Sequence, residues 1–275
     1  MEKLPKYCLS FILFLIVFSC KEETPLSEVE KRVFAEKTYK EAVRFTQGST
    51  AFQNGILQAL AIDPNYEQGV YELFVAHLKR GMPHKWLPQY DKAIKLDAIN
   101  RIPWRGYLYL WFYRDYKKAI ADFDASDILT PKFIDKPQGI SVDYWRGVAY
   151  LGLKEHEKSI SFFKKYMDIQ IKDLGEDWIE LKAFLFVCIA YYESGKIDKA
   201  NLYFDKVLKY NGGNYADAKY YKALICKEKN EIKESKELIN SAIEDFNNGY
   251  INKRPYVESL RHLYLGDYDE LKLSL

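Results

Sequence analysis

Residues 181–214 read LKAFLFVCIAYYESGKIDKANLYFDKVLKYNGGN, with an apolar helical pattern on each side of a short turn. After the turn, Ala200 is followed four residues later by Phe204, so a small and a large side chain lie on one helix face. Before the turn, Cys188 and Tyr191 form a comparable pair at a spacing of three. A small side chain allows a neighbouring helix to approach closely, and the stretch therefore predicts two helices packed face to face.

The pairing of a small residue with a large apolar one four positions later recurs along the chain. Examples are Ala119 with Phe123, Ser159 with Phe163, Ala200 with Phe204, and Ser235 with Ile239. Counted from Phe52 through Trp86 and the four small residues, successive units lie 34, 33, 40, 41 and 35 residues apart. A period of this size indicates a stack of helix pairs. The two longer steps predict insertions near 132–140 and 169–177.

The repeated unit resembles the tetratricopeptide repeat (TPR), in which 34 residues form a helix–turn–helix. In the quoted stretch, the small and aromatic places of that family are taken by Cys188, Tyr191, Gly195, Ala200 and Phe204. The other matching units are 33–64, 67–98, 100–131, 140–173 and 216–249, of which the first two are degenerate. The resemblance implies an all-α fold over 33–249, a TPR-like α-solenoid in which about six helix-turn-helix repeats form a right-handed superhelix.

Both ends of such a stack need a cap, because an open repeat exposes its stacking face. Residues 250–275 are predicted to close the stack as a capping helix and a tail. Pro255 is well placed at a first helical turn and an apolar stripe follows it, so the closing helix is expected over 255–265. Within the stack, unit 100–131 is expected to have a first helix one residue short.

Residues 1–19 have the organisation of a secretory signal, with a positive start, a short apolar centre and a small residue at the end. The tetrapeptide VFSC at residues 17–20 resembles the lipobox of bacterial lipoproteins, in which the cysteine carries the lipid. The resemblance implies removal of 1–19, lipidation of Cys20 and a tether over 20–32. The protein would then be a lipid-anchored protein of the bacterial cell envelope, on the periplasmic or the exposed side of the outer membrane. An ordinary signal cut elsewhere is the alternative.

The charge balance and the motifs argue against nucleic-acid binding and against catalysis. Lys and Arg number 41 and Asp and Glu 39, whereas nucleic-acid-binding proteins usually carry a basic excess. The four His are well separated, and no HExxH, GxSxG, P-loop or GxGxxG motif occurs. We expect no catalytic residue, no metal site and no cofactor. Cys188 and Cys226 are expected to be buried small hydrophobes, with a disulfide between them as the alternative.

The function implied by the family is binding of a protein or peptide in a concave groove, which the first helix of each pair lines. The family's groove places fall on Tyr71, Tyr107, Tyr144, Val148, Leu185, Ile189, Tyr192, Tyr220 and Leu224. A tyrosine-rich groove suits a peptide, since tyrosine offers a large contact area with few rotamers to freeze. Packing between neighbouring repeats is the alternative for any one of these tyrosines.

Two other classes of function stay open. A surface lipoprotein could bind glycans through tryptophan rings, although core packing is the favoured interpretation for most of them. The candidates are Trp86, Trp104, Trp111, Trp145 and Trp178. An architectural subunit would instead brace an envelope complex through its outer face or its ends.

Overall fold

The structure is a computed structural model that describes residues 25–275. The predicted signal over 1–19 and the lipidation site at Cys20 lie outside the described residues, as does the first part of the tether. Predictions for that segment therefore stay predictions.

Within the described part of the chain, thirteen α-helices form, and the first twelve are arranged in six pairs. They are α1 (Glu28–Ala42), α2 (Thr50–Ile62), α3 (Glu67–Lys79), α4 (Pro83–Leu96), α5 (Ala98–Leu108), α6 (Tyr116–Leu129), α7 (Val142–Gly152), α8 (His156–Asp173), α9 (Leu181–Glu193), α10 (Ile197–Tyr210), α11 (Ala216–Glu228), α12 (Ile232–Asn247) and α13 (Leu265–Leu273). Each helix packs on the next in chain order, and α13 packs on α12. This arrangement confirms the predicted all-α solenoid of helix pairs.

Small residues at the helix crossings explain why the sequence forms these pairs. A Cβ atom added to Gly147 of α7 would lie 2.9 Å from ring atoms of Phe163 in α8. One added to Gly106 of α5 would lie 2.7 Å from the ring of Phe123 in α6. The Ser159 hydroxyl of α8 donates a hydrogen bond of 2.8 Å to the Gly147 carbonyl, so a small polar residue is satisfied at the crossing. The small and large residues spaced through the sequence thus meet where paired helices cross.

Neighbouring pairs share a continuous apolar core, which extends from α3 to α11 and includes Leu260 beyond α12. The first helices of successive pairs lie on one side of this core, where α7 contacts α9 directly. In a solenoid with a small rotation between repeats, the side on which successive helices approach each other is concave.

A buried ion-pair cluster joins the third helix pair to the fourth. Arg146 of α7 is 1% exposed and pairs with Asp143 at 2.9 Å. It also pairs with Asp124 and Asp127 of α6, at 3.0 and 2.6 Å, and donates to the Phe123 carbonyl at 2.6 Å. Because the guanidinium group has acceptors on several sides, its charge is compensated where it is buried.

The third pair corrects the expectation that its first helix is one residue short. Gly106 and Ala119 are thirteen positions apart, whereas the corresponding Gly147 and Ser159 are twelve apart. The extra residue is absorbed in a π-helical turn, Tyr109–Tyr113, at the end of α5. A π turn holds one more residue than an α turn, so the helix is wider there and not shorter.

The two longer steps of the sequence correspond to added structure after α6 and within α8. Residues 130–141 form a connection that contains a 3-10 turn at Pro137–Gly139. Helix α8 continues to Asp173 and is followed by a second 3-10 turn at Glu176–Trp178. Both insertions therefore occur where the spacing predicts them.

The closing helix is not where the sequence pattern placed it. Residues 250–264 contain no helix, and the last helix begins only at Leu265. The prediction of a helix over 255–265 is therefore wrong. The apolar side chains of this segment pack against the core of the solenoid, and its two arginines bind side chains of first helices, so tertiary contacts replace the helical hydrogen bonds.

Candidate functional site

The concave side of the solenoid is occupied by a loop of the chain itself. We call residues 250–264 the groove loop; it follows α12 and ends where α13 begins. It contacts α3, α5, α7, α9 and α11, and each of these is the first helix of its pair. The groove loop therefore lies on the face that a ligand of the groove would use.

Buried hydrogen bonds connect the two ends of the groove loop, residues 250–252 and 259–264, which we call its base. The Asn252 side-chain amide donates a hydrogen bond of 3.0 Å to the Leu260 carbonyl, and the Ser259 hydroxyl donates one of 2.7 Å to Asn252 Oδ1. The backbone N–H of Asn252 donates to Asp217 Oδ2 of α11 at 2.9 Å. The start and the end of the groove loop are thus hydrogen-bonded to each other and to α11.

Asp217, beneath this base, is almost completely buried. Burial raises the pKa of its carboxyl to about 6, against the opposing effects of the Asn252 N–H and of the charges on His262 and Lys182. The base of the groove loop therefore rests on a carboxyl group that titrates in mildly acidic solution.

The tip of the groove loop, residues 253–258, places Arg254 on two aromatic rings. Its guanidinium carbon lies 3.7 Å from the ring centroid of Trp111 and 5.6 Å from that of Tyr107. Its Nη2 atom donates a hydrogen bond of 2.6 Å to the Tyr107 hydroxyl. A planar guanidinium combines stacking with a directed hydrogen bond in a way that an ammonium does not. We call Trp111 and Tyr107 the arginine seat.

A second arginine of the groove loop, Arg261, pairs with an acidic residue of α9. Its Nε and Nη2 atoms lie 2.5 and 2.8 Å from the two carboxylate oxygens of Glu193, and Nη2 also donates to the Leu151 carbonyl at 3.2 Å. Burial raises the pKa of Glu193, but the hydrogen bonds from Arg261 and His156 outweigh it and hold that pKa below its usual value. Glu193 is therefore ionised at neutral pH and bound to the loop.

An open cavity of about 320 Å³ adjoins the arginine seat. The solenoid contributes aromatic side chains to its wall, and the tip of the groove loop contributes Pro255 and Tyr256. The aromatic residues from the solenoid are Tyr71, Trp104, Tyr107 and Phe112. This cavity is a part of the concave side that the chain leaves unfilled.

Comparison with known proteins identifies the architecture through structure and not through sequence. No protein-family sequence model matches the chain, and no curated protein sequence matches it either. The structure of PilW, described as a widely conserved type IV pilus biogenesis factor, has a TM-score of 0.62 at 14% identity, covering 81% of this chain and 96% of PilW. Pseudomonas aeruginosa pilF has a TM-score of 0.63 at 16% identity, covering 89% of this chain and 99% of pilF.

A third structure, a tetratricopeptide repeat protein from Parabacteroides merdae, has a TM-score of 0.52 at 15% identity, covering 87% of this chain and 97% of that protein. The chain has the tetratricopeptide-repeat fold. The first helices of this TPR solenoid form the face on which the groove loop lies.

Two of the predicted groove residues of the TPR solenoid line the open cavity. Tyr71 of α3 is half-buried, with its ring centroid 6.1 Å from that of Trp104 and the Arg101 guanidinium carbon 4.2 Å from its own centroid. Tyr107 of α5 borders the same cavity and holds the arginine described above. The structure thus brings these two tyrosines together at one site.

Four other predicted groove residues lie in the TPR core. They are Tyr144, Val148, Leu185 and Ile189, with exposed fractions of 2%, 0%, 0% and 0%. The Tyr144 ring lies 5.5 Å from Phe163 and 5.4 Å from Tyr166, so packing between helices is the correct interpretation for it. Their placement on an open groove is wrong, because neighbouring helices and Leu260 of the groove loop belong to the same buried cluster.

The remaining three predicted residues, Tyr192, Tyr220 and Leu224, are half-buried near the C-terminal end of the TPR stack. The Tyr192 hydroxyl donates a hydrogen bond of 2.7 Å to Glu228 Oε1. The Tyr220 ring lies 5.1 Å from that of Tyr268 in α13. These residues therefore help to pack the last repeat and its closing helix.

Sequence reasoning missed the groove loop and the arginine seat. The available signal was Pro255, because the residue before a proline is biased away from helical geometry, and Arg254 occupies that position. No local pattern indicated that Arg254 contacts Tyr107, which precedes it by 147 positions.

A second concavity of the TPR solenoid lies at its N-terminal end. This cleft of about 1100 Å³ is formed by the free faces of α1 and α2. Among its lining residues, Leu26, Phe34 and Phe45 are 43%, 47% and 54% exposed. Because no earlier repeat covers this face within residues 25–275, its apolar side chains are open to a partner.

The tryptophans considered for glycan binding are mostly internal. Trp86, Trp111 and Trp145 are no more than 3% exposed, so the core interpretation is correct for these three. Trp104 is half-buried beside the open cavity, and Trp178 is 70% exposed. A glycan-binding surface built on tryptophan rings would depend on Trp104 and Trp178.

Cys188 and Cys226 are both buried and not bonded to each other, which agrees with the expected buried hydrophobes and not with the alternative disulfide. In the part of the chain that the structure covers, none of the helices combines the length and the apolarity needed to cross a membrane.

Proposed function

We propose that this TPR solenoid is a non-catalytic scaffold of the bacterial cell envelope that binds a peptide segment of a partner protein in its concave groove. The groove site consists of the cavity beside Tyr71 and Tyr107 and the adjoining arginine seat. Lipid on Cys20 would hold the scaffold at the membrane.

The observation that carries this proposal is the groove loop. A non-helical segment lies against the first helices and is held there by backbone hydrogen bonds, a stacked arginine and an ion pair. These are the contacts by which a groove binds a peptide from another protein. The concave face is therefore suited to peptide recognition. Its open cavity offers unoccupied aromatic surface beside the groove loop.

Attachment to the envelope is supported by the lipobox-like sequence and by the short tether. Only seven residues separate Cys20 from the first residue of α1, Glu28, and seven extended residues reach at most about 25 Å. A lipid on Cys20 would therefore keep the first repeat close to the membrane. The shared fold of PilW, a protein named as a pilus biogenesis factor, supports a role in an envelope assembly.

Affinity capture from an envelope extract tests the proposal. Residues 21–275 would be used as bait beside two variants, Tyr71→Ala in the cavity and Leu202→Ser on the exposed face of α10, where Leu202 is 57% exposed. A protein retained by the wild type and by Leu202→Ser, but lost by a folded Tyr71→Ala, would support groove binding. A partner retained by all three baits would exclude the cavity beside Tyr71 as its site, and no partner at all would direct the search to a glycan array.

One observation favours a second function, that of an architectural subunit. The cleft between α1 and α2 exposes Phe34 and Phe45 at the end of the stack. A subunit docked there would cover the open stacking face without using the groove. The variant Phe34→Ser with Phe45→Ser would then release the captured protein, whereas Tyr71→Ala would retain it.

A further inference from the structure

We infer that the partner of the concave face presents an arginine, which takes the seat formed by Trp111 and Tyr107 in place of Arg254. This inference rests on the proposed function, because it names the chemistry of the peptide that the groove binds. It also makes the tip of the groove loop an internal competitor of that peptide.

The arginine seat is built by the solenoid and not by the groove loop. Tyr107 belongs to α5 and Trp111 to the π turn that follows it, and with Arg254 seated on them they are 7% and 2% exposed. The ring centroid of Trp145 lies 5.0 Å from that of Tyr107 and 6.1 Å from that of Trp111, so the Trp145 ring packs edge-to-face against both. The two rings are therefore fixed by helix packing, and a seat that is already formed reduces the conformational entropy lost on binding.

The tip of the groove loop occupies this seat at some cost. Tyr256 is 67% exposed, and its φ of +68° lies in the left-handed region that non-glycine residues disfavour. The Nε atom of Arg254 is buried without a hydrogen-bond partner. Both features raise the free energy of the seated tip relative to a released one. A partner peptide that lacks them can therefore replace the tip.

Replacement of the tip does not require the base of the groove loop to unfold. Asn252, Ser259 and Leu260 are 0%, 2% and 5% exposed and belong to the tied base. Between them, the tip residues Lys253, Pro255 and Tyr256 are exposed. The tip can therefore move outward while the base and α13 stay packed.

The chemistry of the site selects the class of ligand. The seat offers a ring face for a planar cation and the Tyr107 hydroxyl as an acceptor, which favours arginine over lysine. The cavity beside it already contacts Pro255 and Tyr256 and is lined by Tyr71 and Phe112. We therefore assign the ligand as an arginine-bearing peptide with a proline or an aromatic residue next to the arginine.

The test uses a fluorescein-labelled peptide, YINKRPYVE, which has the sequence of residues 250–258. Its binding to residues 21–275 is measured by fluorescence anisotropy, with the wild type and with Arg254→Ala. Because Arg254→Ala vacates the seat, it should bind the peptide at least about tenfold more tightly than the wild type. A peptide with alanine in place of the arginine should bind neither chain, and one with lysine should bind more weakly.

A second substitution shows whether the peptide uses the same seat. In the Arg254→Ala chain, Tyr107→Phe removes the acceptor but keeps the ring, and should weaken peptide binding about tenfold. Melting temperatures check that each variant is folded. Equal affinity of the wild type and Arg254→Ala, or no binding by a folded Arg254→Ala, would overturn the inference.

Combined with the capture experiment, the peptide experiment distinguishes failure of the arginine assignment from failure of the proposed function. If a protein is captured through the groove but the unlabelled peptide does not displace it, the arginine assignment is wrong and the proposed function stands. If the peptide displaces the captured protein from the wild type, the partner and the tip share one seat. If the peptide binds as expected and no protein is captured by way of the groove, the proposed function fails and the partner assignment fails with it.

Discussion

Ala200 has no exposed surface and lies on α10 where that helix packs against α9. The same relation holds for Gly147, whose missing Cβ leaves room for the ring of Phe163. At such a crossing, each added carbon atom must displace a ring or a helix backbone, because protein interiors are packed as densely as organic crystals. Single small residues therefore set the distance between paired helices.

Substitution of Ala200 with phenylalanine should destabilise the solenoid by about 1–3 kcal/mol or more, because it overfills the crossing. The free energy of unfolding is measured by denaturant titration. Leu202→Phe is the matched control, since Leu202 lies two residues further along α10 and is 57% exposed. It should change stability by no more than about 0.5 kcal/mol. Equal effects of the two substitutions would show that Ala200 is not at a tight crossing.

Arg146 is the buried charge whose loss we expect to be most costly. Arg146→Ala removes the cation that compensates Asp143, which is itself 1% exposed and would keep only Lys165 as a partner. We expect a loss of about 3–5 kcal/mol in unfolding free energy, as for other broken buried ion pairs. The control is Arg44→Ala, because the Arg44 side chain is 72% exposed and should contribute little. A loss below about 1 kcal/mol for Arg146→Ala would contradict the role assigned to the cluster.

At the scale of elements, the groove loop and α13 are the parts that complete the repeats. The groove loop returns to the first helices, and α13 then covers the last pair. Neither element belongs to one of the six helix pairs. Their stability therefore depends on the solenoid that they cover, and substitutions in them report on that docking.

Asp217→Asn should change the pH dependence of stability at the base of the groove loop. The pKa of Asp217 in the folded protein is about 6, above the value of about 3.9 for an unperturbed Asp, so the protonated form favours folding. This contribution is complete below pH 4 and is lost as the pH rises through 6. The amide mimics the protonated form, and should stabilise the protein by about 2–3 kcal/mol at pH 7 but not at pH 4. Unfolding titrations of both chains at the two pH values measure this, and a constant difference would refute the assignment.

Tyr268→Ala should remove most of the cap that α13 provides. Tyr268 is fully buried, with its ring 5.1 Å from that of Tyr220 and 5.3 Å from that of Phe246. Truncation of such an aromatic residue leaves a cavity, and we expect a loss of about 3–5 kcal/mol. Leu273→Ala on the same helix is the control, because Leu273 is 87% exposed. Thermal melts of the two variants that coincide would mean that α13 does not cap the stack.

At the scale of the whole molecule, the two ends and the concave face differ in how they are covered. The C-terminal end is closed by α13 and the groove is partly filled, whereas the N-terminal pair exposes Phe34 and Phe45. With a lipid on Cys20, the uncovered end would face the membrane or a subunit near it. The open end and the anchor would then lie at the same pole of the solenoid.

Cys20→Ser should release the protein from the membrane fraction of the producing bacterium and abolish labelling with a radioactive fatty acid. Fractionation followed by immunoblotting measures the distribution. Cys226→Ser is the control for loss of a cysteine. Retention of Cys20→Ser in the membrane would contradict lipid anchoring.

The sequence could predict the repeats because each repeat is a local unit. The paired small and large residues of 140–173, 181–214 and 216–249 lie within one helix–turn–helix, so their spacing alone specifies both helices and their crossing. The candidate site was predicted only in part. Tyr71 and Tyr107 line the open cavity and stay proposed groove residues, but Tyr144 was assigned to an open surface that neighbouring helices cover.

The sequence alone specifies about six helix pairs and the small and large residues at their crossings, since these depend on contacts within about 34 residues. The path of residues 250–264 and the accessibility of residues in the groove depend instead on contacts between distant parts of the folded chain. Arg254 meets Tyr107 across 147 positions, and Arg261 meets Leu151 across 110. Such contacts form only after the repeats have stacked, because stacking creates the face on which the groove loop lies. No local pattern encodes them.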